Sequence, residues 1–158
     1  MVRLAAELLA LHPLLSGLER EQLDRLAPLG ELESYSADEE VVRQGTLGDS
    51  LFLILSGRVS VFAGESPRPL ATLGPGEFFG EMSLVEPAAR SATVRSEGAA
   101  ELFRLPHVAV VRLFEADPVL MNRILIHVVR TLSNRLRRTN DLIGSVEQLS
   151  EWLAGSML

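Results

Sequence analysis

The sequence predicts a mainly β domain flanked by α-helices, and three observations carry that expectation. From Glu31 to about Leu105 the apolar residues fall in short or alternating runs of four to seven, which is strand texture. Turn formers separate these runs: Gly45 with Gly48-Asp49, then Ser56-Gly57, Gly64 and Gly74-Pro75-Gly76, at the spacing of a sandwich or barrel. On both flanks leucines recur at helical spacing instead.

Taken in order, Arg3 to Leu11 and Glu19 to Leu26 predict two short leading helices, with breaks at Pro13, Ser16-Gly17 and Pro28. Strands are expected at Glu40 to Arg43, Ser50 to Ser56, Arg58 to Phe62, Leu70 to Leu73, Ser91 to Ser96 and Glu101 to Leu105. After Pro106 helical periodicity returns through Val108 to Glu115. It restarts at Pro118, where Asp117 supplies an N-cap and proline the first helical position. In that long last helix Leu125, Val129, Leu132, Leu136, Thr139, Ile143, Val146 and Leu153 follow a seven-residue seam, and Leu120, Ile124 and Val128 make a second stripe. Two stripes imply two partners, the β unit and a second copy of the helix; one wide core-facing stripe is the alternative. One domain is expected over residues 1–144, with helices in 3–28, the β unit in 31–105 and helices in 107–143. Residues 145–158 form a helical tail, too short for a separate output domain, and Met1 with Trp152 to Leu158 reads as the ends of a complete chain.

Composition narrows the function. A chain of 158 residues, 47% apolar, is long enough to bury a core unaided. It has no cysteine, which removes disulfides, thiolate metal sites and thiol nucleophiles and suits a cytoplasmic setting. Its longest apolar runs, Leu51 to Leu55 and Ile124 to Val129, are far short of a membrane span, and Met1 to Leu11 carries Glu7 and lacks a secretion cleavage site. The net charge of −6 and pI near 5.1 argue against direct DNA binding. The basic group Arg130, Arg135, Arg137 and Arg138 reads as a surface for acidic protein rather than for nucleic acid. The three histidines, His12, His107 and His127, form no strand-borne pair for a metal. Glu39-Glu40 lies at a turn and reads as a solvated face, not an acid–base dyad. No catalytic constellation emerges, so no enzyme is expected.

The chemically informative stretch is Gly76-Glu77-Phe78-Phe79-Gly80-Glu81-Met82-Ser83-Leu84, followed after five residues by Arg90-Ser91-Ala92-Thr93-Val94. Gly80 permits close backbone approach, and Glu81 to Val85 predicts a helical turn whose first N–H groups attract an anion. Arg90, expected at the start of a strand, offers a planar fork of donors matched to phosphate oxygens. Glu81 beside an anion site makes sense as an acceptor for hydroxyls, and a ribose supplies them. A surface ion pair between Glu81 and Arg90 is the plain alternative.

Those residues resemble the phosphate-binding cassette of the cyclic nucleotide-binding domain family, and the upstream Val41-Val42, Gly45, Gly48-Asp49, Leu51-Phe52-Leu53-Ile54 and Gly57 are similar to its hairpin signature. The resemblance spans about Leu14 to Gly144. It implies an eight-stranded jelly roll, the double-stranded β-helix of that family, with cAMP or cGMP as ligand and no cofactor or metal. It further implies that Glu81 bonds the ribose 2′-hydroxyl, that Arg90 and the Ser91 hydroxyl hold the phosphate, and that backbone N–H groups of Gly80, Met82 and Ser83 complete the site. On the last helix, Arg135-Leu136, Thr139-Asn140 and Ile143-Gly144 resemble the long helix of bacterial activators, so Thr139 and Asn140 are expected at the base; an ordinary helix surface is the alternative. The expected function is a regulatory sensor that signals by movement of this helix, as a homodimer with an unidentified protein partner. A non-binding scaffold of the same fold, or a fragment of a larger channel, kinase or transcription regulator, is the alternative.

Overall fold

The computed structural model describes residues 2–156. Helix α1 (Val2–Ala10) and α2 (Arg20–Leu26) lead the chain, with short 3-10 turns at Pro13–Leu15 and Ala27–Leu29 where the prolines end helical propagation. Ten strands follow: β1 (Glu31–Tyr35), β2 (Glu40–Val42), β3 (Leu47–Gly48), β4 (Ser50–Ser56), β5 (Val59–Phe62), β6 (Ala71–Leu73), β7 (Phe78–Phe79), β8 (Ala88–Ala89), β9 (Thr93–Ser96) and β10 (Ala100–Pro106). Helices α3 (His107–Ala116) and α4 (Pro118–Ser156) close the chain.

The strands pair antiparallel in two four-stranded sheets, ordered β1-β10-β4-β7 and β2-β9-β5-β6, with β3 and β8 as a separate ribbon. The two sheets together hold eight strands, the number the family resemblance implies, and the ribbon adds two more. Period-two alternation sends Phe52 and Ile54 of β4 and Leu102 of β10 into the space between the sheets, where they meet Val59, Leu73 and Val94 from the other sheet. The opposite faces of β4 and β10 are buried too, with Leu53 and Phe103 at 1% and 0% exposure. Burial on both faces is why Ser50 to Ser56 reads as a continuous apolar run rather than an alternation. Phe103 abuts Gly30, where a Cβ would come within 2.4 Å of its ring.

Several boundaries depart from the sequence expectation. β5 starts at Val59, not Arg58, because Gly57 adopts φ +77° in the turn before it. β9 starts at Thr93, not Ser91, and β2 ends at Val42, not Arg43. Asp117 caps α4 as expected, its Oδ1 accepting from Leu120 N at 2.9 Å. The helix then runs on through the expected tail to Ser156 without a break.

Contacts divide the chain into two compact units, Met1–Asn122 and Arg123–Leu158. The described residues of the second form one uninterrupted helix. In it Ile124 and Val128 are buried, as is Leu120 in the first unit, whereas Val129, Leu136 and Val146 of the seam are exposed at 60%, 61% and 65%. No described helix is long and apolar enough to cross a membrane.

Candidate functional site

Arg90 sits in the connection between β8 and β9, and not, as its sequence context suggests, at a strand start. Two backbone hydrogen bonds fix it to the turn before β3: Arg90 N donates to Thr46 O at 2.8 Å and its carbonyl accepts from Gly45 N at 2.9 Å. These continue the β3–β8 ribbon, whose rungs are Leu47 with Ala89 and Gly48 with Ala88. The hairpin motif and the cassette are therefore zipped together, and the ribbon is the device that delivers the arginine.

The half-buried Arg90 side chain runs inward. Its Nη2 donates to Ser50 O at 2.9 Å, and its Cζ lies 5.6 Å from the centroid of the Phe52 ring. Phe52 in turn stacks on Phe79, with centroids 4.9 Å apart. Two glycines make the path. A Cβ on Gly48 would fall 2.4 Å from Arg90 Nε, and one on Gly80 would fall 2.6 Å from Arg90 Nη1 and 2.5 Å from Ser50 O. Gly80 also has φ +76°, a left-handed conformation that glycine adopts without strain. It opens the expected turn, a 3-10 helix at Glu81–Leu84 in which Ser83 N returns to Gly80 O at 3.1 Å.

Burial pulls the Arg90 guanidinium pKa below its usual value, while the charges of Asp49 and Glu81 oppose that shift. Glu81 thus lies within the electrostatic reach of Arg90. Asp49 is held below the ordinary carboxyl range, first by the Ser50 hydroxyl, which donates to its Oδ1 at 2.7 Å, and then by Arg104 and Arg90. Arg90 lines a cavity of about 350 Å³ together with Tyr35, Val42, Asp49, Phe52 and Arg104. Gly80, Glu81, Met82, Ser83 and Ser91 are not among its lining residues; Met82 and Ser91 are exposed, and Ser83 is buried with its carbonyl bonded to His107 Nδ1 at 2.7 Å. Thr139 and Asn140 are exposed on the second unit, and Thr139 Oγ1 donates to Arg135 O of its own helix at 3.1 Å. Sequence reasoning missed Ser50, Phe52 and Arg104 as site residues. Phe52 was legible only as a core residue of an apolar strand, and Arg104 carried no motif.

A jelly roll that half-buries an arginine on the wall of an open cavity, with glycines clearing its path, presents a cation in a position to meet a small anion. Residues 32–117 match the family described as the cyclic nucleotide-binding domain. The chain belongs to that family. It is 39% identical over 106 residues to the cyclic AMP receptor protein of Thermus thermophilus, covering 63% of this chain and 49% of the relative. With the cGMP-dependent protein kinase, isozyme 1, of Drosophila melanogaster it shares 41% identity over 87 residues, covering 52% and 11%. Among solved structures, a cyclic nucleotide-binding domain from Methylobacillus flagellatus superposes with a TM-score of 0.75 at 26% identity, over 89% of this chain and 80% of that one. The chain spans about half the length of the first of these curated relatives, 49%, and much less of the second, 11%.

Proposed function

We propose that this domain is a regulatory sensor whose activity is the binding of cAMP or cGMP. Arg90 grips the equatorial phosphate oxygens with the Ser91 hydroxyl, Glu81 accepts from the ribose 2′-hydroxyl, and N–H groups of Gly80, Met82 and Ser83 complete the phosphate cradle. The observation that carries this reading is the half-buried Arg90 guanidinium on the wall of the 350 Å³ cavity, with glycine at both positions where a Cβ would strike it. A half-buried guanidinium whose side-chain hydrogen bond goes to a neutral carbonyl keeps donors for a bidentate anion, and a cyclic phosphodiester is a compact monoanion of the right shape.

The ligand also touches Thr139 and Asn140 through its base, so occupancy draws α4 toward the cassette. It can shift that equilibrium only by its differential affinity for the two arrangements. The exposed seam of Val129, Leu136, Ile143 and Val146 pairs with the same seam of a second copy, giving a homodimer that presents its helices to a protein partner. Residues 1–144 form the binding domain, in a cytoplasmic protein, and the last helix extends from it to Ser156.

Isothermal titration with cAMP and with cGMP tests the proposal, alongside thermal unfolding. Saturation at 100 times the Kd should stabilise the fold by about 2.7 kcal/mol. Absence of both heat and thermal shift at millimolar ligand refutes it.

A further inference from the structure

Arg104 belongs to neither sequence motif, yet it lines the same cavity as Arg90. It sits in β10, with Phe52 of β4 opposite it on one side and Glu31 of β1 on the other. Its Nε donates to Ser50 Oγ at 3.0 Å and its Nη2 to Asp49 Oδ1 at 3.3 Å. Ser50 uses its carbonyl to accept from Arg90 Nη2 at 2.9 Å. The dipeptide Asp49-Ser50 therefore holds both guanidiniums, and Asp49 is a carboxylate that attracts each of them. On its far side Arg104 lies 3.9 Å from Glu31 and 4.0 Å from Glu33.

This arrangement sets the charge that Arg90 offers a ligand. An incoming anion competes with Asp49 for Arg90, because the Asp49 carboxylate is near enough to act on the Arg90 guanidinium. While Arg104 engages Asp49, the three groups carry one net positive charge. Without Arg104, Asp49 and Arg90 form a neutral pair and the anion must break it. We propose that Arg104 is a positioning residue for ligand binding, which occupies Asp49 and so leaves Arg90 available to a cyclic phosphate. The inference rests on the nucleotide reading above and adds to it the residue that tunes affinity.

Titration of cAMP into the wild type, Arg104→Gln, Arg104→Lys, Asp49→Asn and the Asp49→Asn/Arg104→Gln double variant tests it, with thermal unfolding of each. Arg104→Gln should bind about five-fold more weakly, whereas the double variant should recover to within about two-fold of wild type. Arg104→Lys keeps the charge on Asp49 and should also stay within about two-fold. A residue that merely braces β10 against β4 would not be rescued by neutralising Asp49. Wild-type affinity in Arg104→Gln, or a loss that Asp49→Asn fails to relieve, overturns the inference. If the wild type binds neither cAMP nor cGMP, the nucleotide reading itself is what fails, and the role of Arg104 falls with it.

Discussion

Adding one methyl group at Gly48 should evict Arg90 from its site without removing its charge. A Cβ there would lie 2.4 Å from Arg90 Nε, 2.6 Å from its Cδ and 2.7 Å from its Cζ. The nearest atoms all belong to a flexible side chain, and Gly48 is not in the left-handed region, so the backbone can accept alanine. What yields is the arginine, which loses its 2.9 Å bond to Ser50 O and its place over Phe52. A hydrogen bond from a charged donor is worth about 1.5 to 3 kcal/mol, and half-burial places this one toward the lower end. Gly48→Ala should therefore lower stability by about 1 to 2 kcal/mol, or Tm by about 3 to 6 °C in a domain of this size. Binding should suffer more, because the guanidinium no longer reaches the phosphate: about ten-fold to one-hundred-fold in Kd for cAMP. Gly17→Ala, before α2, is the control, since Gly17 has φ +88° and open space around it. It should cost about 1 kcal/mol of stability and leave affinity unchanged. Calorimetric titration with thermal unfolding reads both quantities, and wild-type affinity in Gly48→Ala would refute the reasoning that this arginine conformation serves the ligand.

Other substitutions probe different links. Gly80→Ala sets a Cβ 2.5 Å from the Ser50 backbone oxygen at φ +76°, so it should lose at least about 2 kcal/mol in chemical denaturation, more than Gly48→Ala. Phe103→Ala, at a fully buried position, should cost about 3 to 5 kcal/mol. His12 is buried, with Nδ1 accepting from Leu14 N at 3.2 Å and Nε2 against Glu77 O at 3.1 Å, and burial lowers its pKa below 6.5 despite that second bond. Between the folded and unfolded pKa values the unfolded chain binds more protons. Its contribution to stability is therefore full above pH 6.5 and is lost progressively as pH falls below it. Denaturant midpoints measured across that window should fall in the wild type and stay flatter in His12→Gln, before the carboxylates titrate. Leu136→Glu, at an exposed seam position, should turn a dimer into a monomer in light scattering while leaving the Tm of the monomeric fold within a few degrees.

Local chemistry is what a sequence states most directly, and here it stated a good deal. Asp117-Pro118 started the last helix, the apolar run Ser50 to Ser56 was a strand to the residue, and the cassette around Gly80 and Arg90 was enough to identify the family. Two of the strands it hid have residues that do not favour extension. β1 is the polar run Glu-Leu-Glu-Ser-Tyr, which is a strand because β10 pairs with all five of its residues, and β8 is Ala88–Ala89, drawn out by β3. The same holds for the site. That Arg90 is cationic and suited to phosphate is intrinsic to the side chain, but its hold on Ser50 O joins residues 40 apart in the chain. Arg104 reaches Ser50 Oγ across a separation of 54. Such contacts leave no periodicity and no spacing to read. They exist only because the β3–β8 ribbon brings Arg90 to Ser50 and β10 lies beside β4, and pairing of that kind is decided by the whole folded chain and not by any segment of it.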